Sequence, residues 1–346
     1  MRKVLILTPE RTPIVSGVAT YVERLVKSFP SDEVFVATTK SIWKIWWTVK
    51  KNKIDVLFVQ DAWRFKRGAR FMQKFFHKSY LIFSHGADIK FASASKYKLY
   101  RLSRVAKYAE QIIVDSEFIK SHWLRFLPQL ASKITTVYPC PDTDLFTAPS
   151  EEDLKILRGQ YALDGKRAIL TVSKLTDGKG IPHLLRIMPE ILKSVPNLVW
   201  ILIGDGPKKK SVVEMIQKSG MQNVVRFLGE VPHEDLKKFY YLAELFVLLT
   251  HPDEGKEEGV GMVFLEAAAC GVPVVAGKSG GVPEAVHHGE TGVLVDIYRG
   301  DERLIKEITD LLKNSERLKQ LGAQAKLRVQ YDFRWENQFA KIKQWL

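Results

Sequence analysis

Short apolar runs recur along the chain, and longer amphipathic stretches separate them. Val4–Leu7, Glu33–Thr38, Ile54–Gln60, Tyr80–Ser84, Gln111–Asp115 and Lys133–Val137 have the length and β-branched content of buried strands. Between them the apolar spacing becomes helical. From Gly17 to about Phe29, residues Val18, Tyr21, Val22, Leu25 and Val26 share one face, and Ile42–Lys51, Arg67–His77, Ser93–Tyr108 and Glu117–Leu127 follow the same rule. Strand and helix alternating in this way predict a parallel sheet with right-handed crossovers. Pro139, Pro141 and Pro149 interrupt the pattern, which restarts with strands at Arg167–Ser173, Leu198–Gly204, Val224–Leu228, Leu245–Leu249, Gly271–Ala276 and Gly292–Asp296. The prediction is an α/β protein with one domain over 1–150 and a second over 151–330. The stripe Trp335, Phe339, Ile342, Trp345 and Leu346 makes 331–346 a helix that must bury one face, and it is expected to return to the first domain.

Length agrees with that division, because 346 residues exceed one ordinary core. No apolar run reaches the roughly 18 residues of a membrane span. The segment after Met1 is too short for a signal peptide and reads as a strand, and Cys140 and Cys270 are expected as reduced thiols, so the expected location is cytoplasmic. Charge changes the picture more. Of the net +14, residues 1–150 carry 25 Lys and Arg against 12 Asp and Glu, whereas 151–346 carry 28 against 27. The first half therefore meets something anionic.

Several chemistries lack their motifs. There is no phosphate loop of the G-x-x-x-x-G-K-[ST] kind, no G-x-G-x-x-G after the first strand, no H-E-x-x-H, no G-x-S-x-G and no metal-spaced cluster of His, Cys and carboxylates. Candidate chemistry concentrates at Glu258-Gly-Val-Gly-Met-Val-Phe-Leu-Glu266. It reads as a loop carrying a carboxylate, a glycine hinge at Gly259 and Gly261, and the start of a buried helix whose first amides, at Met262, Val263 and Phe264, favour an anion. Ser279-Gly-Gly-Val-Pro-Glu284 offers a second glycine turn. The bland alternative is a buried helix that happens to carry two glutamates.

Taken in order, Ser16-Gly17, Ser84-His-Gly-Ala-Asp88, Val172-Ser-Lys-Leu-Thr-Asp-Gly-Lys-Gly180, Ile203-Gly-Asp-Gly-Pro207, Phe227-Leu-Gly-Glu-Val231, and Glu258 with Glu266, Ala-Cys-Gly-Val-Pro-Val-Val and Gly-Gly-Val-Pro-Glu, resemble the retaining glycosyltransferases of family 4. The resemblance covers essentially the whole chain. It implies the GT-B fold, two Rossmann-like domains facing each other across a cleft. The implied activity is transfer of a hexose from a nucleotide-sugar, with a UDP-sugar favoured over GDP-mannose, to a saccharide or lipid-linked acceptor in polysaccharide or glycolipid synthesis. Neither metal nor other cofactor is implied. By the same resemblance Lys174 and Lys179 reach the donor diphosphate, and the amides of Met262 and Val263 hold phosphate and sugar. Glu258 accepts from sugar hydroxyls, Glu266 from the ribose, and Gly17 approaches the diphosphate. Gly204 and Gly261 belong to the donor site, base contacts fall near Gly229 and Val231, and His85 meets the donor sugar near the reacting carbon. The catalytic group is then His85, Glu258 and Lys179. Asp88 touches donor or acceptor, while the alternative for His85 is a loop histidine capping a turn. Ser173-Lys174 stands where the family usually has Gly-Arg, which exchanges a bidentate fork for a point charge.

Lys40–Lys53 and Trp63–Lys78 interleave cations with aromatics. On a helix, Ile42, Ile45, Trp46 and Val49 face the core and leave Trp43, Trp47, Lys44, Lys50 and Lys51 outward, which suits an anionic membrane surface; a solvated basic face is the alternative. Rival readings are a GT-B epimerase or phosphorylase, or a basic nucleic-acid-binding protein. No nucleic-acid-binding signature accompanies the charge, so no nucleic-acid partner is expected.

Overall fold

A computed structural model describes residues 2–9, 17–253 and 257–345. It divides into two units, Met1–Pro139 with Trp335–Leu346, and Cys140–Arg334. The expected boundary at 150 shifts to 139/140 for a physical reason. The Tyr241 hydroxyl donates to the Leu145 carbonyl at 2.9 Å, Lys326 donates to the Phe146 carbonyl at 2.8 Å, and Asp142 meets His233 at 3.0 Å, which fastens the segment after Cys140 to the second unit.

In the first unit β1 (Val4–Leu7), α1 (Gly17–Lys27), β2 (Val34–Ala37), α2 (Ile42–Asn52), β3 (Val56–Gln60), α3 (Ala62–Phe76), β4 (Ser79–Ser84), α4 (Ala87–Ser93), α5 (Lys96–Tyr108), β5 (Gln111–Val114), α6 (Glu117–Phe126) and β6 (Ile134–Thr136) form a parallel sheet of order β2-β1-β3-β4-β5-β6. Alternate strand residues feed two cores. Leu5, Leu57 and Ile82 face α2, α3, α5 and α6, while Ile6, Phe58 and Phe83 face α1. The second core also receives the final helix. Ile342 is fully buried there, Trp335 meets Tyr21 edge-on at 5.7 Å, and Phe339 meets Phe29 at 5.5 Å.

Two helices begin away from where their spacing predicts, one earlier and one later. The third starts at Ala62 rather than Arg67 because the Asp61 side chain caps it, accepting from the Arg64 amide at 3.1 Å. The helix predicted from Ser93 begins at Lys96, where the Ser95 hydroxyl caps the Lys98 amide, and a separate short helix, Ala87–Ser93, precedes it.

The second unit contains α7 (Glu151–Gln160), β7 (Arg167–Val172), α8 (Ile181–Ser194), β8 (Leu198–Ile203), α9 (Lys209–Lys218), β9 (Val225–Gly229), α10 (His233–Leu242), β10 (Leu245–Leu248), α11 (Met262–Ala269), β11 (Val274–Gly277), α12 (Val282–Ala285), β12 (Gly292–Val295), α13 (Asp301–Lys313) and α14 (Ser315–Asp332); α15 (Trp335–Lys343) is the final helix of the first unit. The strands form a parallel sheet of order β12-β11-β10-β7-β8-β9. A buried chain ties its centre, with Trp200 Nε1 donating to Thr171 Oγ1 at 2.9 Å and Thr171 Oγ1 to the Val247 carbonyl at 2.6 Å. The order reverses direction between β7 and β10, and an open α/β sheet binds ligands outside the carboxyl ends of its strands at such a switch point. Helix α7 had no apolar signal because none of its residues is buried.

Candidate active site

A cavity of about 360 Å³ opens at that switch point. Thr176, Asp177, Gly178 and Lys179, just past β7, form one wall, and Thr250, His251 and Asp253, just past β10, form another. Glu257, Glu258 and Ser279 close it, with Pro207 and Lys208 at the edge beyond β8. Lys179 Nζ donates to Glu258 Oε2 at 2.5 Å, with both side chains roughly a fifth exposed. An ammonium and a carboxylate, one suited to phosphate and the other to hydroxyl donors, therefore meet in one cavity. Lys208 pairs with Asp177 at 2.9 Å beside them.

The local sequence explains the placement of Glu258. Gly261 has φ of +83° and caps α11 without a side-chain bond, so the cap residue itself leaves the opening amides of Met262 and Val263 to other partners. The second glycine turn braces this loop. The Gly281 amide donates to the Glu258 carbonyl at 2.9 Å, and a Cβ at Gly281 would stand 1.7 Å from the Gly259 carbonyl oxygen. These glycines let one strand-end loop press on another, and through that contact the second turn holds the loop of Glu258.

The remaining donor-site expectations scatter around the cavity. Lys174 is exposed beyond β7, Gly204 follows β8 and donates its amide to the Gly229 carbonyl at 2.7 Å, and Val231 lies two residues past β9. Glu266 does not line the cavity: it is buried within α11 and accepts from the Tyr240 hydroxyl at 2.8 Å, while burial and the nearby carboxylate push the Tyr240 pKa up. Gly17 opens α1, and Ser16 and the loop before it lie outside the described residues, as do residues 254–256. The sequence reading missed Asp177, Thr250, His251 and Ser279. Their signal is position alone, since each lies within five residues of the end of β7, β10 or the adjacent β11. The Ser279 hydroxyl is buried and, among the described residues, has no hydrogen-bond partner.

In the first unit His85 follows β4, its Nδ1 2.5 Å from Asp115 Oδ2 and its Nε2 2.7 Å from Gln60 Oε1. Burial opposes protonation of the ring, but the Asp115 carboxylate outweighs it and the pKa rises. Both nitrogens thus face oxygen acceptors inside this unit. Asp88 is buried, accepting at Oδ1 from Ser84 Oγ at 2.5 Å and from the Ile89 amide at 2.8 Å, while Trp123 Nε1 donates to Ser84 at 2.8 Å. Burial pushes its pKa up to about 6, against the Ser84 hydrogen bond. Because the folded value lies above the ordinary carboxyl value of 3.8, the stability this proton contributes is full below about pH 4 and is lost as pH rises through about 6. Asp88→Asn removes the buried charge, so thermal denaturation is expected to show a gain on the order of 2 kcal/mol at pH 8. That gain should shrink towards zero near pH 4; an equal effect at both pH values would contradict the assignment.

A family model described as glycosyl transferases group 1 matches residues 155–328, half of the chain. Among curated relatives, a GDP-mannose-dependent α-(1-6)-phosphatidylinositol monomannoside mannosyltransferase of Mycolicibacterium smegmatis is 31% identical over 248 residues, covering 71% of this chain and 64% of the relative. An N-acetyl-α-D-glucosaminyl L-malate synthase of Bacillus anthracis is 27% identical over 205 residues, covering 59% and 50%. The chain thus spans less than two thirds of the length of these relatives. Among solved structures, Anabaena HepE in complex with UDP-glucose superposes with a TM-score of 0.84 over 99% of both chains at 20% identity, a likeness of fold.

Proposed function

The chain belongs to the glycosyl transferases group 1 family, and on that premise we propose that it moves a hexose from a nucleotide-sugar to a saccharide or lipid-linked acceptor. The observation that carries this reading is the cavity at the second sheet's switch point, where Lys179 and Glu258 meet. The donor's diphosphate draws Lys179 away from Glu258 and adds the helix amides of Met262 and Val263. Negative charge grows on that diphosphate as the glycosidic bond breaks, and fixed positive groups stabilise it most at that moment. Glu258, released, accepts from the sugar's hydroxyls. Retention of anomeric configuration and independence from metal follow from the family resemblance, and transfer is expected to persist in excess EDTA.

Two donors compete within this reading. A UDP-hexose is the expectation from the sequence, and GDP-mannose enters because the 31%-identical relatives carry it in their names. Titrating the protein with UDP-glucose and GDP-mannose, each against its free sugar, separates them. Saturable binding and acceptor-dependent release of UDP or GDP is the expected result. Binding of neither, or release that no acceptor accelerates, would count against transfer.

The acceptor is proposed to lie at the cytoplasmic face of a membrane. Among the described residues no helix is long and apolar enough to cross one. On α2, Ile45 and Val49 are buried, whereas Trp43 is 72% and Trp47 57% exposed, with Lys51 4.6 Å above the Trp47 ring. Each such cation is worth about 1 kcal/mol near an anionic leaflet. Flotation with phosphatidylglycerol vesicles but not with phosphatidylcholine vesicles is expected, and Trp43→Ser with Trp47→Ser should leave the protein unfloated. Equal flotation of that variant would remove α2 from the docking surface.

A further inference from the structure

The carboxyl ends of β3 and β4 carry a second cluster that the donor chemistry leaves unused. Trp63, in the first turn of α3, and Phe91, on α4, lie with ring centroids 5.0 Å apart. Lys66 Nζ stands 3.6 Å over the Trp63 ring and donates to the Trp63 carbonyl at 2.7 Å, and Lys98 Nζ stands 3.9 Å over the Phe91 ring. Arg101 donates to the Tyr97 hydroxyl at 2.7 Å. Among the described residues none of Lys66, Lys98 and Arg101 is paired with a carboxylate. The rings hold the ammoniums in place before any ligand arrives, and a preorganised cation loses less entropy on binding. The chain enters this cluster through Asp61, a non-glycine residue with φ of +70°, a conformation that persists where surroundings over-determine it, commonly at ligand sites. Phe91 and Tyr97 remain 45% and 65% exposed at its rim.

We infer that Lys66, Lys98 and Arg101, set by Trp63 and Phe91, bind a phosphate ester of the acceptor, so that the acceptor is a saccharide or polyol joined through a phosphodiester to a lipid. The inference rests on the transferase reading and names the acceptor class for it. Arg101 and Arg67 repel Lys66, and together with burial they lower its pKa. A phosphoryl oxygen among them relieves that repulsion and accepts several charge-assisted bonds at once. The exposed aromatic edges suit the apolar and headgroup region next to such a phosphate. The cluster follows the same strand ends that position Gln60 and His85, with Phe91 six residues after His85.

The test titrates the full chain with glycerophosphoinositol, with uncharged myo-inositol and with inorganic phosphate, read by calorimetry. Saturable binding of the phosphodiester is expected, with at least about tenfold weaker binding for Lys66→Ala with Lys98→Ala, the loss of a charge-assisted contact. Trp63→Phe keeps a ring beneath Lys66 and should retain most of the affinity, whereas Trp63→Ala should not. Inorganic phosphate binding as tightly as the phosphodiester would reduce the cluster to a general anion site and overturn the acceptor assignment. Unchanged affinity in the lysine pair, or binding only of phosphatidylinositol vesicles and never of the soluble headgroup, would overturn it as well. Donor binding measured on the same sample keeps the two readings apart: a protein that binds UDP-glucose or GDP-mannose yet ignores the phosphodiester refutes this inference alone.

Discussion

Lys179→Ala is expected to lower kcat/KM for the donor by about 10² to 10³, the usual cost of removing one group aimed at developing transition-state charge. Glu258→Gln keeps the volume and loses the carboxylate, and should fall by a similar factor because it loses both the sugar hydroxyls and the partner that orients Lys179. Stability should hardly move. The pair is partly solvated at 22% and 23% exposure, and an ion pair of that kind contributes about 1 kcal/mol or less. The contrast between a large kinetic effect and a small thermal one is what separates an active-site pair from a structural one. Steady-state kinetics with thermal denaturation of the two single variants and the double variant measures it. The single losses should not add in the double variant, because both residues act on the same bound donor. Activity within about threefold of the parent in both single variants, a change under 1 kcal/mol, would take the transfer site elsewhere.

Much of this architecture was legible because its signals are local. Runs such as Val56–Gln60 and Leu198–Ile203 are buried along their whole length and could be read as strands without their neighbours. The faces of α2 followed from spacing alone. What escaped reading depended on contacts remote in sequence. Nothing local announces that residues after Cys140 fasten to α10 and α14, whereas the Asp61 cap of α3 is a contact of three residues that the helical spacing alone does not show. The site was half legible for the same reason. Glu258 and Lys179 stood out through their glycine-rich surroundings, while Thr250, His251 and Ser279 become neighbours only when β10 and β11 are laid side by side. Glu266, given to the ribose by the resemblance, is buried in a mostly buried helix and bonds Tyr240, a partner that spacing does not announce.

Gly281→Ala should silence transfer without touching any group that meets substrate. The backbone at Gly281, φ of −86° and ψ of 6°, is one that alanine adopts freely, so strain is not the cause. The cause is space: the new methyl would stand 1.7 Å from the Gly259 carbonyl oxygen, and real contacts need about twice that. One loop must give way, and the bond from the Gly281 amide to the Glu258 carbonyl is the contact directly beside the clash. A shift of about 1 Å in a positioning loop costs on the order of 10²-fold in rate, and overpacking costs about 1–3 kcal/mol. Gly289→Ala is the control. Its φ of +81° makes alanine strained, yet nothing lies within 4 Å of the added methyl. It should therefore lose stability through the backbone alone and keep its activity. Equal transfer rates in the two variants would mean that the Gly259–Gly281 contact does not set Glu258, whereas loss confined to Gly281→Ala, with Glu258 displaced from Lys179 in its crystal structure, makes the second glycine turn the support on which the donor carboxylate stands.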